Sequence, residues 1–306
     1  MTPQHCILQG APLDCGKNRP GCIMGPDAYR TAGLAQALES LGHTVTDIGN
    51  VAPGPYSDRP HPKLHRLAET IAWTHALADT TEASFARGMP ITLGGDHALA
   101  AGTVLGAMRF AAAQKRPLFV LWLDAHSDFH TLESTDSGNL HGTPMAFVTG
   151  RGEFPGWPAL PAPLPFENIA MIGLRSVDPA ERAALQDTAI TRVDMRQIDE
   201  TGIAQPLGAF LGRVEQAGAM LHVSLDVDFL DPAAAPAVGT TVPGGATVRE
   251  GHLVMEMIND SGLLTSMDLV ELNSFMDERG RTATLMVDLA ASALGRNVFD
   301  RPTRAF

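Results

Sequence analysis

Cysteine is scarce in this 306-residue chain: there are three, Cys6, Cys15 and Cys22, all near the start. Their number is odd and their spacing matches no zinc pattern, which favours reduced thiols over a disulfide framework or a thiolate ligand set. Basic residues are also few, 22 Lys and Arg against 34 Asp and Glu, for a formal charge of −12. Nucleic acid is therefore not an expected partner, because its phosphates demand basic patches. A negative balance suits a cationic ligand and serves plain solubility equally well. No run is apolar enough to span a bilayer, and polar Gln4 and His5 stand where a signal peptide would carry its basic and apolar regions. No membrane partner is expected, and the location read from these features is cytoplasmic.

What is present is core-forming material. At 44% hydrophobic and 18% charged residues, the chain can bury a large interior. Apolar strand-like runs lie at Cys6–Leu8, Val45–Ile48, Ile91–Leu93, Leu118–Leu123, Ile169–Gly173, Ile190–Asp194, Met220–Leu225 and Leu269–Leu272. Helical patterns alternate with them over Asp27–Leu41, Lys63–Arg87, Ala98–Gln114, Pro179–Gln186, Ile203–Gln216, Arg249–Asn259 and Thr282–Leu294. This alternation predicts an α/β protein with a mostly parallel sheet, and the lack of a linker predicts one domain over 1–306. Prolines at 155, 158, 161, 163 and 165 exclude helix and central strand there and predict a surface loop.

The chemistry concentrates where two of the strands end. Leu118–Leu123 runs into Asp124-Ala125-His126-Ser127-Asp128, and Met220–Leu225 runs into Asp226-Val227-Asp228. Ligands of open parallel sheets bind at that carboxyl edge. If the backbone stays extended, alternate residues project to one side, so these five side chains converge. His97 in Gly94-Gly95-Asp96-His97 is a sixth candidate, since the glycines permit a tight turn. Four aspartates and two histidines form a hard O/N donor set that suits Mn²⁺, and carboxylates able to bridge let six side chains hold two ions. Any one of these aspartates is explained as well by capping the next helix, but capping does not require the whole set.

These blocks resemble the signatures of the ureohydrolase family. Gly94–His97, Asp124–Asp128, Gly138-Asn139-Leu140-His141-Gly142 and Ser224–Pro232 carry the resemblance. The arginase branch is matched most, through Pro236–Thr240, Arg249-Glu250-Gly251 and Val270-Glu271-Leu272-Asn273, in order along nearly the whole chain. The resemblance implies a three-layer α/β/α sandwich around an eight-stranded sheet. It also implies two manganese ions per subunit, one on His97, Asp124, Asp128 and Asp226 and the other on Asp124, His126, Asp226 and Asp228, with Asp124 and Asp226 bridging.

The implied reaction is hydrolysis of L-arginine to L-ornithine and urea, by hydroxide formed between the two ions and directed at the guanidinium carbon. Asp128 would orient that nucleophile, His141 would shuttle a proton, and Glu271 would accept hydrogen bonds from the guanidinium. His130, Ser137, Asp178 and Thr240 would contact the rest of the cationic substrate. His130 departs from the asparagine usual in arginases, and Ser176 from a frequent aspartate, so agmatine, a guanidino acid or another amidino compound stands as an alternative substrate. His130 equally suits a solvent-facing rim; a surface loop for His141 is set aside by its flanking Gly-Asn-Leu and Gly, and a strand-end salt bridge is the lesser reading of Glu271, given its place after an apolar strand. A non-catalytic metal-binding protein of the same fold is the remaining alternative, and the presence of His141 and Glu271 argues against it. A homotrimer or homohexamer is implied by the segment containing Arg249 and Glu250.

Overall fold

Eight strands form one parallel sheet in the order β2-β1-β3-β8-β7-β4-β5-β6. The structure is a computed structural model that describes residues 3–57 and 60–297. The strands are β1 (His5–Ala11), β2 (Thr44–Asn50), β3 (Met89–Gly94), β4 (Leu118–Leu123), β5 (Ile169–Leu174), β6 (Thr191–Asp194), β7 (Met220–Asp226) and β8 (Leu264–Val270). Every residue of β3, β4, β5 and β7 is buried, whereas β2 and β6 alternate with exposed positions. Continuous apolar runs belong to strands covered on both faces and broken runs to the sheet edges.

Among the described residues, ten α-helices cover the two faces: α1 (Gly25–Thr31), α2 (Leu34–Glu39), α3 (Leu67–Phe85), α4 (Ala100–Ala113), α5 (Pro144–Val148), α6 (Pro179–Gln186), α7 (Met195–Thr201), α8 (Ala204–Gln216), α9 (Val248–Ser261) and α10 (Arg281–Ala293). Strand β4 shows how the layers divide. Phe119, Leu121 and Leu123 pack with Leu34, Leu207, Val254 and Met286 of α2, α8, α9 and α10. Leu118, Val120 and Trp122 pack with Leu77, Leu105 and Met145 of α3, α4 and α5. The two-residue period of the strand thus feeds two cores, and the result is the expected α/β/α sandwich.

Several local expectations change. The helical pattern Asp27–Leu41 is two helices, because Gly33 takes φ 86° and breaks the hydrogen-bond run. The pattern beginning at Lys63 becomes helical only at Leu67, after Arg66 at φ 44°. Strand β8 starts at Leu264, five residues before the apolar stretch Leu269–Leu272, because Ser266 and Asp268 are buried polar residues inside it. The proline-rich stretch has no helix or strand before Phe166, as expected, yet it is not wholly superficial. Trp157 and Leu164 are buried, and Trp157 packs on Phe147 and Phe154 with centroids 4.7 and 5.0 Å away.

The central four strands, β3, β8, β7 and β4, end side by side. The chain leaves β3 and returns as β4 three places away, and the gap is filled later by β7 and β8. The turn after β3 is tight against the segment after β1: Leu13 accepts the Asp96 N–H at 2.9 Å, and a Cβ on Gly95 would overlap the Leu13 carbonyl. Gly95→Ala is therefore expected to destabilise the fold by on the order of 3 kcal/mol, since backbone on both sides of the contact must move. Denaturant midpoints of the two proteins check this, and equal midpoints would contradict it.

Candidate active site

Asp124 directly follows β4, Asp226 is the last residue of β7, Glu271 directly follows β8, and His97 opens a 3-10 turn just beyond β3. The extended backbone anticipated for the two acidic clusters is not what brings them together. The chain bends at 124–126, and Val227–Phe229 is a 3-10 turn. The cause is local: Asp124 Oδ1 accepts the His126 N–H at 2.6 Å, and Asp226 Oδ1 accepts the Asp228 N–H at 2.7 Å. Each carboxylate turns its own backbone, as aspartates readily do. The two roles coexist: Asp226 turns its backbone with Oδ1 and faces outward with Oδ2, while Asp124 Oδ1 serves both.

The outward-facing atoms form two nests. His97 Nδ1 lies 3.1 Å from Asp124 Oδ2, 3.2 Å from Asp128 Oδ2 and 3.1 Å from Asp226 Oδ2. His126 Nδ1 lies 3.4 Å from Asp124 Oδ1 and 3.1 Å from Asp228 Oδ2. Asp124 thus presents one oxygen to each imidazole, whereas Asp226 joins the first nest only. The sets His97/Asp124/Asp226 and Asp124/His126/Asp228 each bring their donor atoms within 4.8 Å of one another, close enough to share a metal ion. His97 Nδ1 is buried without a hydrogen-bond partner among the described residues. An orphaned imidazole nitrogen facing three carboxylate oxygens fits a cation between them.

The rings are held from behind. His97 Nε2 meets Ser224 Oγ at 2.8 Å, and the ring stacks on Trp122 with centroids 4.0 Å apart. Trp122 Nε1 in turn donates to Asp124 Oδ2 at 2.9 Å. Neither Ser224 nor Trp122 was singled out from sequence. Ser224, two residues before Asp226 on the same strand face, carried the signal.

Glu271 and His141 join the same cavity of about 300 Å³, with His130, Ser137, Asp178 and Thr240 also lining it. Glu271 Oε1 accepts the His97 N–H at 2.9 Å and lies 3.0 Å from His141 Nδ1. Its other oxygen pairs with the buried ammonium of Lys17, so the strand-end salt bridge left open for Glu271 is present, with a partner the sequence did not name. His130 is buried in the cavity lining, its Nε2 3.1 Å from Asp178 Oδ2. Ser137 Oγ lies 3.3 Å from Thr135 Oγ1 and accepts the Asn139 N–H at 3.2 Å. Glu181, also missed, accepts from Ser127 Oγ and the Phe129 N–H at 2.8 Å and from the Asp178 N–H at 3.2 Å. Its place three residues after Asp178, at the start of α6, is the sequence sign of a capping box.

Backbone conformation adds to the design. Asp128 at φ 46° and Glu271 at φ 67° adopt the left-handed region that side chains other than glycine seldom enter. Such geometry costs on the order of 1 kcal/mol or more at each position and persists where the surroundings demand it.

Electrostatics follow from burial. Desolvation, then the charge of Asp124, pushes the Asp128 carboxyl well above the usual range. Desolvation, then Asp228 and Asp124, does the same to Asp226, and Asp228 is raised by burial and by Asp124. Burial alone would lower both imidazoles, but the carboxylates overcome it, holding His97 well above its ordinary value and His126 up at about 12. Asp124 and Glu271 are also opposed by burial, yet His126 and His97 pull Asp124 down and Lys17 pulls Glu271 down.

A parallel sheet with this acidic cradle at its carboxyl edge defines the ureohydrolase class of hydrolases. A model of the arginase family matches residues 4–295, and the chain belongs to that family. It is 58% identical over 305 residues to an arginase of Brucella melitensis, covering 99% of this chain and 100% of the relative. An arginase of Agrobacterium fabrum is 54% identical over 304 residues, 98% and 94% of the two chains. Among solved structures, Bacillus caldovelox arginase superimposes with a TM-score of 0.88 at 34% identity, over 96% of this chain and 99% of the other.

The charge arrangement makes the metal-free protein pH-sensitive in a definite direction. The raised carboxyls and imidazoles bind protons more tightly folded than unfolded, so their stabilisation is complete below their unfolded pKa values and fades as pH rises. The depressed groups, Asp124 and Glu271, lose their contribution only at acid pH. Between about pH 5 and 9 the chelator-treated protein is therefore expected to lose unfolding free energy, and saturating Mn²⁺ to flatten that slope. Denaturant midpoints against pH measure it, and a metal-free stability that climbs across the range rules the assignment out.

Proposed function

We propose that this protein hydrolyses L-arginine to L-ornithine and urea, with two manganese ions held in the cradle. The observation that carries the reading is Asp124, which divides its two oxygens between the His97 and His126 nests inside the cavity that Glu271 and His141 also line. His97, Asp124, Asp128 and Asp226 would hold one ion and Asp124, His126, Asp226 and Asp228 the other, in a hard O/N set suited to manganese. Such ions would supply hydroxide near neutral pH by lowering the pKa of bound water. The family relationship, with relatives named arginase at more than half identity, supports arginine as the substrate.

The protein's own groups do the rest. Glu271, kept ionised, accepts hydrogen bonds from a cationic guanidinium and holds it flat, a charge-assisted contact. Asp128 orients the attacking oxygen from its left-handed turn. His141, with Nδ1 engaged by Glu271, has Nε2 left to exchange a proton with the departing amine. His130, Ser137, Asp178 and Thr240 contact the amino-acid end. Replacing His141 by Asn is expected to lower kcat by about 10²-fold without releasing metal, the ordinary size of a proton-transfer contribution.

One observation favours a second reading. Asp178 Oδ2 is already engaged by His130, so a carboxylate proposed to read the α-ammonium is shared with an imidazole. Other guanidino compounds are therefore the competing substrates. Urea release by the manganese-loaded protein from arginine, agmatine and a guanidino acid decides, and a preference for a substrate without the α-amino group would displace arginine.

We also place the enzyme in the cytoplasm as a homotrimer or homohexamer. Among the described residues no helix is long and apolar enough to cross a membrane. Within the chain, Glu250 accepts from the Thr247 N–H and hydroxyl at 2.8 Å, capping α9, while Arg249 lies beside it in a surface groove. A mass measurement in solution tests the assembly.

A further inference from the structure

The segment after β1, residues 13–22, touches most of the loops around the cavity. Gly16 donates its N–H to Asp96 at 2.7 Å and accepts the Leu140 and His141 N–H groups at 2.7 and 3.0 Å. Arg19 Nη1 reaches the Gly239 carbonyl at 2.6 Å. Between them stands Lys17, only 6% exposed, whose Nζ pairs with Glu271 Oε2 and lies 2.9 Å from Cys22 Sγ.

Stability alone does not account for such a pair. Desolvating an ammonium and a carboxylate costs about as much as their attraction returns, so a buried pair is weak evidence of stabilisation. The acceptor count is more informative. Glu271 Oε1 already faces the His97 N–H and His141 Nδ1, and Oε2 faces the ammonium and, at 3.7 Å, the Cys22 thiol. A carboxylate offers about four lone-pair sites, so two contacts on each oxygen clamp this one in a single orientation. Glu271 lines the cavity and Lys17 is not among the lining residues. The ammonium thus approaches Glu271 from outside the cavity lining.

We propose that Lys17 is a positioning residue: it clamps the Glu271 carboxylate from outside the cavity so that Glu271 meets the guanidinium of the substrate in one fixed orientation. This rests on the reading of Glu271 as the guanidinium acceptor. Lys17 touches neither substrate nor metal ligand, and acts only through Glu271.

The test is a double-mutant cycle on the full-length, manganese-loaded protein, reading kcat, KM and bound manganese for urea release from arginine. Lys17→Met, which keeps the stem and removes the donor, is expected to lose about 10²-fold in kcat/KM with manganese retained, the scale of a misplaced orienting group. Lys17→Gln, which keeps a donor, is expected to recover part of that loss, and it serves as the probe if Lys17→Met does not fold. In a Glu271→Gln background the same Lys17 changes are expected to cost less than about twofold, because their path is already cut. Equal factors in both backgrounds, or single variants within about twofold of the parent, overturn the proposal. If Glu271→Gln alone leaves kcat/KM intact, the assignment of Glu271 itself fails and Lys17 falls with it, a result distinct from a silent Lys17.

Discussion

Four aspartates, Asp124, Asp128, Asp226 and Asp228, are buried together at one sheet edge, and everything around them answers their mutual repulsion. Backbone N–H groups absorb one oxygen of Asp124, Asp226 and Asp228, through His126, Asp228 and Ala125 respectively. Imidazoles face the other oxygens. What remains is a buried, densely acidic pocket, an environment that divalent cations compensate and that neutral ligands do not.

The sheet makes this arrangement possible. Parallel strands bury their own backbone polarity in the ladder, so their ends can hold charges on a rigid floor while loops above vary. Insertion of β7 and β8 between β3 and β4 is the decisive topological step, because it sets clusters separated by about a hundred residues in sequence on adjacent strands. Arg175 then ties the loop after Asp228 to β5, donating to the carbonyls of Gly173, Asp228 and Val242 at 3.2, 2.5 and 2.8 Å.

Much of this was legible in the residues themselves. Apolar runs ending in Asp-Ala-His-Ser-Asp and Asp-Val-Asp marked both the central strands and the cradle, because buried strands and metal-type donor sets each have a strong pattern. The route was misread at Asp124–Asp128: convergence comes from side chains capping their own turns, which a strict two-residue period does not convey. Lys17 stayed hidden because a single lysine in a Gly- and Pro-containing loop looks like any solvated charge, and its burial depends on β8 arriving some 250 positions later. Helices α5 and α7 were missed for their brevity, and β8 was begun too late because Asp268 and Ser266 are polar yet buried with His222, which bonds Ser266 at 2.9 Å and Asp268 at 3.1 Å.

The stretch 151–166 has a consequence of a different kind. It lies against α5, just beyond the loop bearing His141, tied there by the Arg151 and Leu164 N–H groups, which donate to the Ala146 and Val148 carbonyls at 2.9 Å. Its prolines restrict the chain before it folds, so less freedom is surrendered when Trp157 and Leu164 settle into the aromatic cluster. The wall beneath the His141 loop is in this sense stiffened from the unfolded side, by conformations the free chain never had.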